Sequence, residues 1–169
     1  MKKVILFIGA AIFMIACSGN NQKEESKHAE TPAKPEVKTE MVEENVAVIN
    51  LNSNDQMRFD KSEIRVKAGA KVKLTLNHTG QMAKEVMGHN FVLLNQGVVT
   101  ADFATEAVAA GLANNYVPEH SKDVIIHTIT IGGGQSTTIE FDAPAVGTYD
   151  FICSFPGHYG MMNGKFIVE

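Results

Sequence analysis

Residues 151–164 read Phe-Ile-Cys-Ser-Phe-Pro-Gly-His-Tyr-Gly-Met-Met-Asn-Gly, and this stretch constrains the fold more than any other. An apolar β-type run ends at Cys153, Phe-Pro-Gly turns the chain, and a second β-type run follows at 165–168. Cys153, His158 and Met162 therefore sit on the connection of a hairpin, and their spacing matches no helix face. Three side chains with metal-binding atoms on one short loop require a rigid β framework beneath them.

The remainder of the chain supplies that framework. From Ala47 onward, short alternating or β-branched runs separated by turn signals occupy 48–51, 58–59, 63–66, 71–78, 90–94, 124–131, 136–141, 147–153 and 165–168. In Lys71-Val-Lys-Leu-Thr-Leu-Asn-His78 the alternation puts Val72, Leu74 and Leu76 on one face. About eight short strands with Gly and Asn turns predict an all-β fold, a two-sheet Greek-key β-sandwich. Residues 101–112, rich in helix formers, predict one helix inserted outside the sandwich and ending near Gly111. Phe59, Phe91, Phe141, Phe151 and Phe166 are core candidates. A domain of about 120 residues is large enough to fold without disulfides.

At the other end, Met-Lys-Lys and the apolar run 4–16 have the charged start and short hydrophobic stretch of a secretory signal. The run is too short to span a bilayer comfortably. It closes on Met14-Ile15-Ala16-Cys17, which resembles a bacterial lipobox with methionine in place of the usual leucine. On that reading the signal 1–16 is removed and Cys17 carries lipid; an ordinary signal with an incidental cysteine is the other reading. Residues 18–46 hold seven Glu and four Lys and almost no large apolar side chain before Met41, a composition that cannot offset its ordering entropy. Together with Cys17 they make a charged linker, 17–46, reaching roughly 30 Å as a flexible coil. The globular domain is then 47–169, with twelve acidic and nine basic residues. A net charge of −4 for the whole chain argues against nucleic acid as a partner. The expected location is the periplasmic side of a bacterial membrane.

If Cys17 is acylated, Cys153 is the remaining cysteine and has no intrachain disulfide partner. Metal ligation accounts for a lone thiol in an exported protein, because it uses the thiolate and shields it from oxidation. A thiolate, an imidazole and a thioether, joined by a further imidazole, match the ligand set that holds copper in electron-transfer proteins. That imidazole is expected from Val86-Met87-Gly88-His89-Asn90-Phe91, where His89 stands between a flexible Gly and an apolar run. Taken singly these residues have plainer roles, methionine as core filler and free cysteine as a buried, inert side chain.

Several of these segments resemble azurins, the small bacterial blue-copper proteins among the cupredoxins. Asn54-Asp55-Gln56-Met57, Val86-Met87-Gly88-His89-Asn90, Gly97-Val98-Val99-Thr100, Val124-Ile125-Ile126-His127-Thr128 and Cys153-Ser154-Phe155-Pro156-Gly157-His158 carry the resemblance, which spans nearly all of 47–169. Plastocyanins and other cupredoxins space their Cys, His and Met differently. The resemblance implies that His89, Cys153 and His158 form a trigonal plane around one type 1 copper ion. Met162 would be a long axial ligand and the Gly88 backbone carbonyl a weak one opposite it, leaving Met161 as a neighbour. The resemblance also implies that Asn90 braces the ligand loops and that the backbone N–H of Phe155 donates to the Cys153 sulfur.

The function implied is that of a one-electron carrier between Cu(I) and Cu(II), with no catalytic residue, exchanging electrons through the His158 ring. An apolar rim of Met57, Val86, Met87, Val108, Phe155, Pro156, Gly157, Gly160 and Met161 would receive redox partners such as c-type cytochromes or copper-containing reductases and oxidases. A copper storage or delivery protein would use the same ligands without cycling. A hydrolase with Cys153 as nucleophile and His158 as base would leave Met162 without purpose. Two departures stand out: Ala47 and Ala70 occupy positions where azurins commonly carry a disulfide, and Phe91 replaces the tryptophan of many. His78 and His127 match non-ligand histidines of the family; a surface or strand-end role is expected for each, titration with redox state being the alternative. His120 carries no signal.

Overall fold

The alternation in 71–78 is realised as a strand in which Val72, Leu74, Leu76 and His78 are buried while Lys71 and Lys73 face solvent. The structure, a computed structural model, describes residues 45–169, so the expected signal, Cys17 and most of the linker fall outside the described residues. Among the described residues nine strands form: β1 (Val46–Asn54), β2 (Arg58–Phe59), β3 (Glu63–Val66), β4 (Lys71–His78), β5 (Val92–Leu94), β6 (Val124–His127), β7 (Ser136–Asp142), β8 (Gly147–Ile152) and β9 (Asn163–Val168). Two α-helices accompany them among the described residues, α1 (Lys84–Met87) and α2 (Thr100–Ala110), with a 3-10 turn at Leu112–Asn114.

One sheet has the order β2-β1-β4-β7 and the other β3-β9-β8-β5-β6. Each is mixed. β1 runs parallel to β4, with Val46 opposite Lys71 and Ser53 opposite His78, and β3 runs parallel to β9. The remaining pairings are antiparallel. Between the sheets Leu51, Leu74 and Leu76 from the first meet Phe91, Leu93, Phe151 and Phe166 from the second, all fully buried. Each such side chain contributes about 2 kcal/mol of apolar transfer. Of the five predicted core phenylalanines, Phe59 and Phe141 are the half-buried ones, edging onto Phe151 and Phe166 with ring centroids 5.7 and 6.0 Å apart.

The expected all-β sandwich is therefore present, with local differences. Helix α2 lies outside it, as expected, and buries Phe103, Ala104 and Ala107. Phe103 and Ala107 pack on Val92, Leu94 and Ile152, so β5 is covered on both faces and reads as an unbroken apolar run. The helix stops at Gly111, whose φ of +71° no side chain adopts cheaply. The predicted strand 124–131 ends early, at His127. Beyond it, Thr128 takes the Phe91 N–H on its hydroxyl and Ile131 pairs with His89 through two backbone bonds of 2.8 and 2.9 Å. The short helix α1, not anticipated, delivers the chain to Gly88 and His89.

Candidate metal centre

Three ligand-bearing residues converge at one end of the sandwich. His89 enters from the segment between α1 and β5, and Cys153 from the end of β8. The 153–162 loop brings His158 back toward Cys153 through a turn in which Gly157 has φ +81° and the His158 N–H donates to the Phe155 carbonyl at 3.0 Å. The Cys153 N–H closes that loop on the Met162 carbonyl at 2.9 Å, and the Met162 N–H donates to the His158 carbonyl at 2.8 Å.

The ligand atoms of His89, Cys153 and His158 lie within 4.8 Å of one another, and all three residues are buried. Cys153 Sγ stands 3.8 Å from His89 Nδ1 and 3.7 Å from His158 Nδ1. Metal–nitrogen bonds of about 2.0 Å and a metal–sulfur bond of about 2.3 Å, opened at 120°, put N and S about 3.7 Å apart. The spacing thus fits a trigonal two-imidazole, one-sulfur set. The Gly88 carbonyl is 3.9 Å from the same sulfur. Met162 is fully buried and packs in one cluster with Cys153 and Phe155, against which Met57 is half-buried.

Hydrogen bonds fix the donors in a ready state. His89 Nε2 lies 2.9 Å from the Asn54 carbonyl, which can only accept, so Nε2 carries the proton and Nδ1 turns its lone pair toward Cys153. Burial holds the imidazoles of His89 and His158 down at about 4 and pushes the Cys153 thiol up to about 12, against the pull of the Asn90 and Phe155 backbone amides. At neutral pH the metal-free centre is uncharged. Gly88 has no alternative here: a Cβ would lie 2.4 Å from the Lys84 carbonyl oxygen and 2.7 Å from Thr130 Cγ2.

Asn90 bridges the ligand segments. Its Oδ1 accepts the Ser154 N–H at 2.9 Å, and its Nδ2 donates to Ser154 Oγ at 2.8 Å and to the Asn115 carbonyl at 2.7 Å. Phe155 lies against His158 in a tilted pair, ring centroids 4.6 Å apart and planes 36° from parallel, and is itself buried. Around this end Val86, Val108 and Met161 are exposed by about half, Gly157 and Gly160 are exposed, and Met87 and Pro156 are half-buried.

Two features escape a reading of the sequence. His78 is 2% exposed and stacks on His89, so it ends strand β4 as expected but is not a surface residue. The cause is its pair of bonds: Nε2–H donates to the Met87 carbonyl at 2.9 Å and Nδ1 accepts the Gly80 N–H at 3.1 Å. Asn115 and Tyr116, both with positive φ, point their carbonyls at the ligand loops. The Asn114-Asn115 pair after Gly111 was the available signal, since asparagine tolerates that conformation. His127 is half-buried, its Nδ1–H donating to the Thr128 carbonyl at 3.0 Å, and His120 is exposed. Cys17 lies outside the described residues.

Comparison with known proteins agrees with this geometry. The family profile described as copper binding proteins, plastocyanin/azurin family, matches residues 46–169. Azurin-1 of Alcaligenes xylosoxydans xylosoxydans is 42% identical over 120 residues, covering 69% of this chain and 92% of that protein. Azurin of Bordetella pertussis is 39% identical over 123 residues, covering 69% and 79%. Among solved structures, auracyanin A, a blue copper protein of Chloroflexus aurantiacus, superposes with a TM-score of 0.68 at 32% identity, over 73% of this chain and 99% of that one. An azurin, Az-iso2, of Methylomonas sp. strain J gives a TM-score of 0.67 at 34% identity, over 73% and 98%. With its sandwich, its buried His89–Cys153–His158 group and these relatives, the chain belongs to the plastocyanin/azurin family of copper-binding proteins.

Proposed function

We propose that this protein is a one-electron carrier that exchanges electrons with redox partners at the exposed end of its metal centre. The observation that carries the reading is a buried, uncharged trio of His89, Cys153 and His158 whose donor atoms are spaced to take one metal ion. Copper bound there supplies a Cu(I)/Cu(II) couple. Soft sulfur favours the reduced ion and imidazole suits both states. The hydrogen bonds that hold His89 and the 153–162 loop do not depend on the metal, so the donors need little rearrangement when the charge changes.

In this reading Met162 and the Gly88 carbonyl would add weaker donors to the trio, Met162 being buried in one cluster with Cys153 and the carbonyl standing 3.9 Å from its sulfur. The Asn90 and Phe155 amides stabilise the thiolate. Electrons pass at the His158 ring, beneath Phe155, Pro156, Gly157, Gly160 and Met161, with Met57, Val86, Met87 and Val108 completing the docking rim. Partners are c-type cytochromes or copper-containing reductases and oxidases. The leader 1–16 exports the chain, lipid on Cys17 holds it to the periplasmic side of a membrane, and 17–46 tethers the domain 47–169. Among the described residues no helix is long and apolar enough to cross a membrane.

The test is an absorption and paramagnetic-resonance spectrum of Cu(II)-loaded protein with reversible voltammetry, using Cys153→Ser as control. An intense thiolate-to-copper band lost in the variant, with a reversible couple, is expected. Tight Cu(I) binding without a reversible couple would favour storage or delivery instead. Mass spectrometry of the mature N-terminus decides whether Cys17 is acylated.

A further inference from the structure

Between α2 and β6, two consecutive non-glycine residues are held left-handed, Asn115 at φ +56° and Tyr116 at φ +54°. Tyrosine in that conformation is a true outlier and needs surroundings that enforce it. The ordering comes partly from the turn itself, where the Asn115 N–H donates to the Leu112 carbonyl at 2.9 Å and the Tyr116 N–H to the Gly111 carbonyl at 2.8 Å. What the pair does with its acceptors is more informative. The Asn115 carbonyl takes Asn90 Nδ2 at 2.7 Å, the Tyr116 carbonyl takes Ser154 Oγ at 2.7 Å, and Asn115 Oδ1 takes the Thr130 N–H at 2.8 Å.

These three acceptors reach three different segments, each one residue from the centre or from its support. Asn90 follows His89, Ser154 follows Cys153, and Thr130 precedes Ile131, whose N–H and carbonyl both pair with His89. Thr130 is 3% exposed and its own hydroxyl has no protein partner, so the bond from its amide to Asn115 is its polar anchor. Its methyl is also what a Cβ on Gly88 would strike, so Thr130 lies against the backbone that offers the Gly88 carbonyl.

We propose that Asn115 is a positioning residue for the metal centre, its side-chain oxygen holding the 130–131 segment and through it the backbone of His89. The left-handed turn aims that oxygen at Thr130 while the main-chain carbonyl of the same residue holds Asn90. One residue thereby ties the 130–131 segment, which pairs with the His89 backbone, to Asn90, which follows His89 and itself bonds Ser154. The proposal rests on the copper site of the function proposed above, and deepens it.

Asn115→Gly separates the two roles. Glycine keeps the left-handed backbone and the main-chain acceptor and removes Oδ1 alone, so the fold is retained. Asn115→Asp restores an acceptor on a side chain that also tolerates this backbone. Cu(I) affinity is measured by competition with a colorimetric chelator, the position of the thiolate-to-copper band by absorption, and amide hydrogen exchange of Thr130 and Ile131 in metal-free protein. Asn115→Gly is expected to weaken Cu(I) affinity about 10-fold or more. It should also shift the band and speed exchange at Thr130, and Asn115→Asp should recover all three. A glycine variant that loses stability but keeps wild-type affinity, band and Thr130 exchange overturns the proposal. Wild-type protein that binds Cu(I) but shows no band or couple sinks the carrier reading and leaves the affinity and exchange comparison decisive for Asn115. Wild-type protein that binds no copper overturns both.

Discussion

The imidazole of His78 stacks on that of His89, with ring centroids 4.4 Å apart and planes 29° from parallel. His78 also ties the end of β4 to the residue just before Gly88, through its bond to the Met87 carbonyl. It therefore supports the ligand from behind as well as from the side. Replacing it by alanine opens a cavity beside His89 and leaves the Met87 carbonyl and the Gly80 N–H without partners. The expected cost to the metal-free protein is about 3 kcal/mol, read by urea denaturation. A loss below about 1 kcal/mol would show that the strand end holds itself without the ring.

Copper uptake should release protons in a pattern set by burial. At pH 7 the Cys153 thiol, pushed up to about 12, is protonated, while His89 and His158, held down at about 4, are already neutral. Only the thiol must lose a proton to bind, so about one proton per ion is released, and apparent affinity rises about tenfold per pH unit between roughly pH 6 and 8. Calorimetric titration of one metal salt into the same buffer series, chosen for differing ionisation enthalpies, gives the count directly. Release of two or more protons at pH 7 would mean that a histidine is charged in the metal-free centre.

Stability of the metal-free protein should form a plateau with a decline on each side. His89 and His158 titrate near 6.5 when unfolded and at about 4 when folded, so the unfolded state binds more protons between those values. Their contribution is complete above pH 6.5 and is lost as pH falls toward 4, by several kcal/mol in total. The thiol has the opposite sign. Raised from 9.0 to about 12, it contributes fully below pH 9 and loses that contribution as pH rises toward 12. Cys153→Ser should flatten the alkaline limb and leave the acid limb in place. Denaturation curves across this range check both limbs, and an alkaline limb unchanged by the substitution would assign it to another group.

How much of this is legible in the sequence depends on the range of the interaction. The β4 alternation, the Gly111 stop of α2 and the turn at Pro156-Gly157 are local rules, and each appears where the residues place it. The fixed spacing on one hairpin also placed Cys153 beside His158, and only their soft chemistry was needed to look for His89. The burial of His78 is different, because it follows from bonds to Met87 and Gly80 that form only when the loop folds over β4. The same holds for Asn54, which acts on His89 through a backbone carbonyl that every residue possesses. The strand at 124 stops at His127 although its apolar residues continue to Ile131, because the Thr128 hydroxyl takes up the Phe91 N–H in place of a ladder carbonyl.

The rim above His158 offers a test that needs no identified partner. Val86, Val108 and Met161, which belong to the proposed rim, are 59%, 49% and 49% exposed, while His158 is 3% exposed. If electrons leave by this face, two copies of the protein must meet rim to rim to exchange one with each other. Met161→Lys then places two like charges opposite one another in the encounter, a cost of more than about 1.4 kcal/mol when desolvated. Electron self-exchange, measured from line broadening in mixtures of reduced and oxidised protein, should slow about tenfold or more. The absorption spectrum should stay unchanged, because Met161 is half-exposed and is not one of the buried donor trio. Raising ionic strength should recover part of the rate, since exposed charges are screened within roughly 10 Å at 0.1 M salt. An unchanged self-exchange rate in the lysine variant would place the electron port elsewhere on the domain.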